Sequence, residues 1–132
     1  MDDAAARVAA LRAADTAIDH LGIDVVAVSA GSVELALTVE ASMTNGHGIL
    51  HGGYLFLLGD TALAYCCASL DRPSVTRTAD IAFLAPVSVG ARVTAVAGVR
   101  ATNGRTTICD VRLDADGVLL AEFRGHGVRL ME

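Results

Sequence analysis

The sequence of 132 residues contains no lysine and no tryptophan, only two prolines, and only three cysteines. Three cysteines form neither an even disulfide framework nor a zinc-ligand spacing, so reduced thiols in a cytoplasmic protein are expected. Aromatic residues make up 4% of the chain and hydrophobic residues 53%, so an ample core must be built from aliphatic side chains. The net charge of −5 argues against a protein that binds nucleic acid through bulk electrostatics.

The sequence also offers little that would direct it to a membrane. Its first twenty residues are acidic and carry charges throughout, unlike a signal or transit peptide. The most apolar stretch, residues 48–70, is long enough to span a bilayer, but Asp60 lies near its middle and no basic flank sets an orientation. No linker, repeat or low-complexity tract interrupts the chain. We therefore expect one domain over residues 1–132 and no membrane partner.

The spacing of apolar residues predicts an α+β fold. A short amphipathic helix capped by Asp2 or Asp3 is expected over residues 3–20, and a long helix that is apolar on every side over residues 53–69. Six strands are expected, at residues 23–30, 33–40, 75–84, 91–101, 105–113 and 118–130. An antiparallel sheet wrapped around one long helix would leave a helix face uncovered, which predicts a homo-oligomer.

Asp60 is the most informative single residue, because it interrupts the apolar helix. An unpaired carboxylate in such surroundings costs several kcal/mol unless it is neutralised or hydrogen-bonded. A catalytic carboxylate is one interpretation. The structural alternative is a hydrogen bond to a nearby hydroxyl such as Thr61 or Tyr65, or simple exposure to solvent.

The His51-Gly52-Gly53 run at the start of this helix is the second candidate element. Two glycines let a ligand approach the backbone, and the first N–H groups of a helix, which have no partners within it, offer donors to a developing oxyanion. Gly53 and Asp60 share a helical face but lie about 10.5 Å apart along the axis, which is long for one carbonyl to meet both. Antiparallel packing of two such helices would bring the donor of one copy to the carboxylate of the other.

Other kinds of site have weaker support in the sequence. His47 and His51 are four residues apart, but the surrounding glycines argue against a continuous helix and no third ligand is evident, so neither a metal nor another cofactor is expected. The Gly-x-Ser-x-Gly motif of serine hydrolases is missing. Cys66 and Cys67 are interpreted as small core residues.

The run NGHGILHGGYLFLLGDTA, from Asn45 to Ala62, resembles the signature of hotdog-fold acyl-CoA thioesterases, in particular the phenylacetic-acid-degradation subgroup. The similarity extends to LGID at residues 21–24, IAFLAP at 81–86 and EFRG at 122–125. The resemblance implies a hotdog fold, in which a sheet wraps around a central helix. It also implies dimers joined through extended sheets, and often tetramers.

The same resemblance implies roles for individual residues. Asp60 matches the catalytic carboxylate, acting as general base or nucleophile, and Gly53 matches the backbone N–H that polarises the carbonyl, in a site shared between subunits. Asn45 and His51 match supporting polar positions, and Thr76 matches a water-orienting hydroxyl. Expected substrate contacts are Gly52, Thr61 and Arg77.

The expected function is hydrolysis of an acyl-CoA, with an aromatic or aryl-acetyl group, to the free acid and CoA. The alternatives are a hotdog dehydratase or hydratase and a non-catalytic acyl-CoA-binding protein. Ala68 and Asp80 depart from the residues of close relatives, which bears on the choice of substrate more than on the reaction. Candidates for contacts with the CoA phosphates, although solvated strand faces would also explain them, are Arg77, Arg92, Arg100, Arg105 and Arg124.

Overall fold

A computed structural model describes residues 3–131 as a six-stranded antiparallel sheet around one long helix. The helices are α1 (Ala4–Ala14) and α2 (Gly52–Ser69), with 3₁₀ turns at Thr16–Leu21 and Ala41–Met43. The strands are β1 (Asp24–Ser29), β2 (Ser32–Thr38), β3 (Ser74–Phe83), β4 (Arg92–Asn103), β5 (Thr106–Ala115) and β6 (Val118–Arg129). Their order, β1-β2-β4-β5-β6-β3, leaves β1 and β3 at the edges. This is the expected hotdog fold, and each strand lies within a few residues of its predicted position.

Tight turns join the strands that form the body of the sheet. Asn103 pairs with Thr106 across the β4–β5 turn, where Gly104 has a φ of 61°. The β5–β6 turn contains Asp116 and Gly117, both with positive φ, as the right-handed twist of a two-residue hairpin requires. Both turns were predicted from their sequences, and they confirm the antiparallel course of the chain.

The long helix α2 packs its inner side against the sheet. A Cβ at Gly59 would lie 2.9 Å from the ring of Phe123, so a glycine at this position allows the helix to approach β6 closely. As expected for a single sheet, one face of α2 stays uncovered in the single chain. Gly53 and Phe56 are exposed and Asp60 is half-buried, and their spacing places them on one face. We call this stripe the uncovered face of α2.

The N-terminal segment departs from the predicted single helix over residues 3–20. Helix α1 ends at Ala14, and the next turn is a 3₁₀ turn. At the break, Asp15 accepts a hydrogen bond of 2.8 Å from the hydroxyl of buried Tyr65. Asp3 occupies the N-cap position, but its backbone is not extended and its side chain makes no capping bond. The alternative cap, Asp2, lies outside the described residues.

Helix α1 holds the C-terminal end of α2. The Arg7 guanidinium donates hydrogen bonds to the carbonyl oxygens of Ala68 and Ser69, at 3.0 and 2.6 Å. These carbonyls belong to the last turn of α2, where they have no partners within the helix and where the helix dipole favours a cation. The short helix therefore stabilises the end of α2 opposite the glycine pair.

The three cysteines lie together in the core, as predicted for Cys66 and Cys67. A hydrogen bond with Cys109, together with burial, raises the pKa of the Cys67 thiol. Contact with Cys66 raises the pKa of the Cys109 thiol to about 12. All three side chains are fully buried thiols.

Within residues 3–131, no helix combines the length and the apolar character needed to cross a bilayer.

Candidate active site

Asp60 lies on the uncovered face of α2 and accepts a hydrogen bond from the edge strand β3. The Thr76 hydroxyl donates a hydrogen bond of 2.5 Å to Asp60 Oδ1. The register of β3 against β6 shifts between Thr76 and Thr78, which marks a β-bulge, a device that re-aims side chains. No described residue donates a hydrogen bond to Asp60 Oδ2. One carboxylate oxygen is therefore fixed, and the other can accept a proton or a hydrogen bond from water.

Neither hydroxyl named as a structural partner of Asp60 is bonded to it. The Thr61 hydroxyl donates to the carbonyl of Leu57 at 2.7 Å, and the Tyr65 hydroxyl donates to Asp15. Thr61 is also buried, at 7% exposure. The Thr61 hydroxyl proton is therefore used within the helix, and the contact of Thr61 with substrate stays a prediction.

His51 caps the N-terminus of α2. Its Nδ1 accepts a hydrogen bond of 2.9 Å from the backbone N–H of Gly53, which places the proton of a neutral ring on Nε2. The backbone N–H of His51 donates to the carbonyl of Met43 at 2.9 Å, which ties the residue to the preceding loop. A substrate carbonyl would share the Gly53 N–H with His51 or replace His51 as its acceptor. The N–H of Gly52 makes no hydrogen bond to a described residue.

Asn45 shapes the loop that leads into α2. Its Oδ1 accepts from the backbone N–H groups of His47 and Ile49, at 2.9 and 3.4 Å. Its own N–H donates to the carbonyl of Ile49 at 2.8 Å, so the turn is closed on both sides. This Asx turn uses the oxygen of the side chain and leaves the amide NH₂ without a partner among the described residues. Asn45 therefore fixes the loop and retains two donors.

A cavity of about 670 Å³ lies between this loop, the first turn of α2 and the segment after β3. No Asp, Glu, Lys or Arg side chain lines it. Its lining residues are Asn45, Ile49, Leu50, His51, Gly52, Leu55, Phe83, Leu84, Ala85, Pro86 and Val87. The polar side chains are therefore confined to Asn45 and His51, next to the helix N-terminus. The aromatic wall at Phe83 was not singled out from the sequence.

The candidate phosphate-binding arginines differ in their contacts. Four of the five have acceptors: Arg92 pairs with Asp24, Arg100 and Arg124 with Asp110, and Arg105 donates to the Arg129 carbonyl. The bidentate bond to Arg124 lowers the pKa of Asp110. Arg77 is exposed, lies at the β3 bulge, and makes no side-chain hydrogen bond or ion pair with a described residue.

The predicted site residues thus form two clusters on α2. One contains Asp60 and Thr76, and the other contains Asn45, His51 and the glycine pair. The clusters lie along one helix face, because Gly53 and Asp60 are seven positions apart in the sequence, and they do not meet within the chain. In the described part of the chain, no three His, Cys, Asp or Glu side chains group as a metal site.

Comparisons with known proteins agree with this arrangement. The model of the thioesterase superfamily matches residues 47–122, which include every residue of the two clusters except Asn45. The chain is 38% identical over 117 residues to the acyl-coenzyme A thioesterase PaaI of Escherichia coli, covering 88% of this chain and 84% of that protein. The chain therefore belongs to the thioesterase superfamily.

Solved structures show the same relationship in three dimensions. The structure of the E. coli PaaI protein from the phenylacetic acid degradation operon superposes with a TM-score of 0.95 at 35% identity, covering 98% of this chain and 94% of that one. A variant of the phenylacetic acid degradation protein PaaI from Thermus thermophilus gives a TM-score of 0.84 at 32% identity, covering 88% and 100%. The predicted likeness to this subgroup is confirmed.

Proposed function

We propose that this protein is an acyl-CoA thioesterase that hydrolyses an aromatic or aryl-acetyl thioester to the free acid and CoA. Membership of the thioesterase superfamily supports the reaction, and the name of the E. coli relative supports an acyl-CoA substrate. The single observation that carries the proposal is the Asp60 carboxylate, held at one oxygen by Thr76 and presented on the uncovered face of α2.

We further propose that the active site forms between two copies of the chain. A two-fold axis between Phe56 and Leu57 would pair the uncovered faces of two antiparallel helices and place Gly53 of one copy opposite Asp60 of the other. The exposed edge strand β3 could then pair with its counterpart and extend the sheet. This dimer would cover Phe56, which is 39% exposed in the single chain. A dimer of such dimers would give the tetramer expected from the resemblance.

In the proposed reaction Asp60 acts as general base. Its free oxygen removes a proton from a water molecule, which attacks the thioester carbon while Thr76 keeps the carboxylate in place. The N–H of Gly53 stabilises the negative charge on the carbonyl oxygen, while Asn45 fixes the loop before α2 and His51 caps the helix turn that carries this donor. When the C–S bond breaks, the CoA sulfur takes the proton from Asp60. The acid and CoA then leave.

A direct attack by Asp60 on the carbonyl is the alternative role for this residue. It would form an anhydride between Asp60 and the acyl group, which water would then open. Hydrolysis over several turnovers in heavy-oxygen water separates the two, because attack by Asp60 places a solvent oxygen on the protein whenever water opens the anhydride at the Asp60 carbonyl. Mass spectrometry of the peptide containing Asp60 after several turnovers provides the readout. We expect no label in this peptide.

Arg77 and Gly52 complete the proposed site. Arg77, the residue after Thr76, has no ion-pair partner among residues 3–131, and its guanidinium suits a CoA phosphate. The N–H of Gly52 is a further donor beside that of Gly53.

We also propose that the protein is cytoplasmic, since its three cysteines are free thiols.

The test is release of free CoA from a panel of aryl-acetyl, benzoyl and straight-chain acyl-CoAs. Asp60→Asn should lower kcat by roughly 10²–10⁴-fold, the usual range for a general base, with little change in KM or melting temperature. Asp116→Asn, in the β5–β6 turn, makes the same chemical change away from the site and should leave kcat unchanged. An Asp60→Asn protein with wild-type turnover would exclude this mechanism. Tight binding of acyl-CoA without hydrolysis would instead identify a binding protein.

A further inference from the structure

Phe83 holds an unusual position for a large apolar side chain. It is the last residue of the edge strand β3 and is 55% exposed. One edge of its ring packs on the first turn of α2, since a Cβ at Gly52 would lie 2.9 and 3.0 Å from two ring carbons. Glycine at position 52 therefore makes room for the ring. Phe83 stands beside the backbone donors that the proposed mechanism uses.

Phe83 lines the cavity, and its contact with Gly52 leaves more than half of the side chain exposed. The three ring carbons nearest to Gly52 belong to a single edge of the ring. Around it, Leu55, Leu84 and Pro86 supply aliphatic walls, and the polar side chains are limited to Asn45 and His51. A neutral, apolar group that begins at the helix N-terminus would fit this lining, whereas a charged group would find no counter-ion.

The proposed dimer places this cavity next to the carboxylate. Within one chain, Phe83 at the end of β3 contacts Gly52, and Thr76 near the start of β3 donates a hydrogen bond to Asp60. The strand therefore has one end beside each of the two clusters. If Gly53 of one copy faces Asp60 of the other, Phe83 must face the Thr76 of that second copy. A thioester bound between Gly53 of one copy and Asp60 of the other would then extend its acyl group along the Phe83 ring.

We propose that Phe83 is a specificity-determining residue that selects aryl acyl groups through ring–ring contact. This inference rests on the proposed thioesterase function. Aromatic pairs prefer offset-stacked or edge-to-face geometry and gain stability beyond the area that they bury, and a saturated ring of equal size lacks this gain. The selectivity of the enzyme between phenyl and cyclohexyl acyl groups therefore measures the contribution of the Phe83 ring.

The experiment compares phenylacetyl-CoA with cyclohexylacetyl-CoA, which differ in aromatic character at nearly equal size. For each protein, the ratio of kcat/KM for the two substrates is measured. Phe83→Leu should lower this ratio by roughly 3- to 10-fold relative to the wild type, and Phe83→Tyr, which keeps the ring, should retain it. Val89→Ala removes another exposed apolar side chain outside the cavity lining and should leave the ratio unchanged.

Gly52→Ala provides a second variant that keeps the ring but displaces it, and it should also lower the ratio. It decides the question if Phe83→Leu does not fold. An unchanged ratio in folded, active variants overturns the role of Phe83 and leaves the thioesterase function standing. An equal loss for both substrates also overturns it, because Phe83 would then be only an apolar wall. A wild-type protein that hydrolyses no acyl-CoA contradicts the proposed function itself.

Discussion

At the scale of single residues, the pairing of Asp60 with Thr76 is the contact on which the chemistry depends. Thr76→Val keeps the shape of the side chain and removes the hydroxyl that fixes the carboxylate. Losing a hydrogen bond to a charged group should lower kcat by roughly 10-fold or more, with KM nearly unchanged. Thr76→Ser restores a hydroxyl and should recover most of this loss, which a purely structural role for Thr76 would not predict. Steady-state kinetics on the three proteins tests this.

The sequence predicted which residues matter better than it predicted their partners. Asp60 stood out because a carboxylate in an apolar helix requires an explanation, and the family resemblance added Thr76. From the helix alone, however, Thr61 and Tyr65 were equally good partners. The choice depended on contacts that spacing does not reveal, since Thr61 satisfies its hydroxyl on the carbonyl four residues earlier and Tyr65 reaches Asp15. Phe83 was missed because only the folded chain brings it against Gly52.

At the scale of secondary-structure elements, the attachment of α1 to α2 makes a testable contribution to stability. Arg7→Met keeps much of the aliphatic stem and removes the donors to the Ala68 and Ser69 carbonyls. The loss should lower the free energy of unfolding by about 1–2 kcal/mol, because the Ser69 carbonyl loses the Arg7 donor, the Ala68 carbonyl keeps only a backbone N–H from Asp71, and the helix end loses a favourable charge. Chemical denaturation measures this value. Arg12→Met, which breaks an ion pair with exposed Asp19, should cost less than about 1 kcal/mol.

A result in which Arg7→Met matched Arg12→Met would show that α1 does not stabilise the end of α2. Activity per folded molecule should be unchanged in both variants, since both residues lie away from the two site clusters.

Most elements were predictable because periodicity and turn residues act locally. The alternation in β2 and the Asn103-Gly104 turn specified strands and a hairpin without reference to the rest of the chain. The end of α1 was not predictable in this way. The apolar stripe continues through residue 18, yet the hydrogen bond between Asp15 and Tyr65, a tertiary contact 50 residues apart in sequence, accompanies a change to a 3₁₀ turn.

At the scale of the whole molecule, a site shared between subunits predicts complementation. Asp60→Asn and Gly53→Pro each disable a different half of the proposed site, and proline removes the N–H at a position in the first helical turn that tolerates it. Each variant alone should have little activity. In co-expressed mixtures, about half of the dimers would combine both variants and hold one intact site, giving about a quarter of the wild-type activity.

Differential tags and light scattering would establish that mixed dimers form. Mixed dimers without recovered activity would contradict the shared site, and an active wild-type monomer would contradict it more directly.

The sequence predicts an oligomer because one sheet cannot cover a helix that is apolar on all sides. Which face stays uncovered, from Gly53 through Phe56 to Asp60, became clear only from the packing of α2.

The buried thiol cluster of Cys66, Cys67 and Cys109 has a practical consequence for the assay of enzyme activity. Released CoA is conveniently followed with a chromogenic disulfide reagent, which also reacts with accessible protein thiolates and then produces a background signal. Here the three sulfur atoms have no access to solvent, and the pKa of Cys109 is raised to about 12, so the thiolate form that attacks such a reagent is scarce. The native enzyme can therefore be assayed continuously at high protein concentration. A slow rise in colour without substrate would report unfolding in the cuvette.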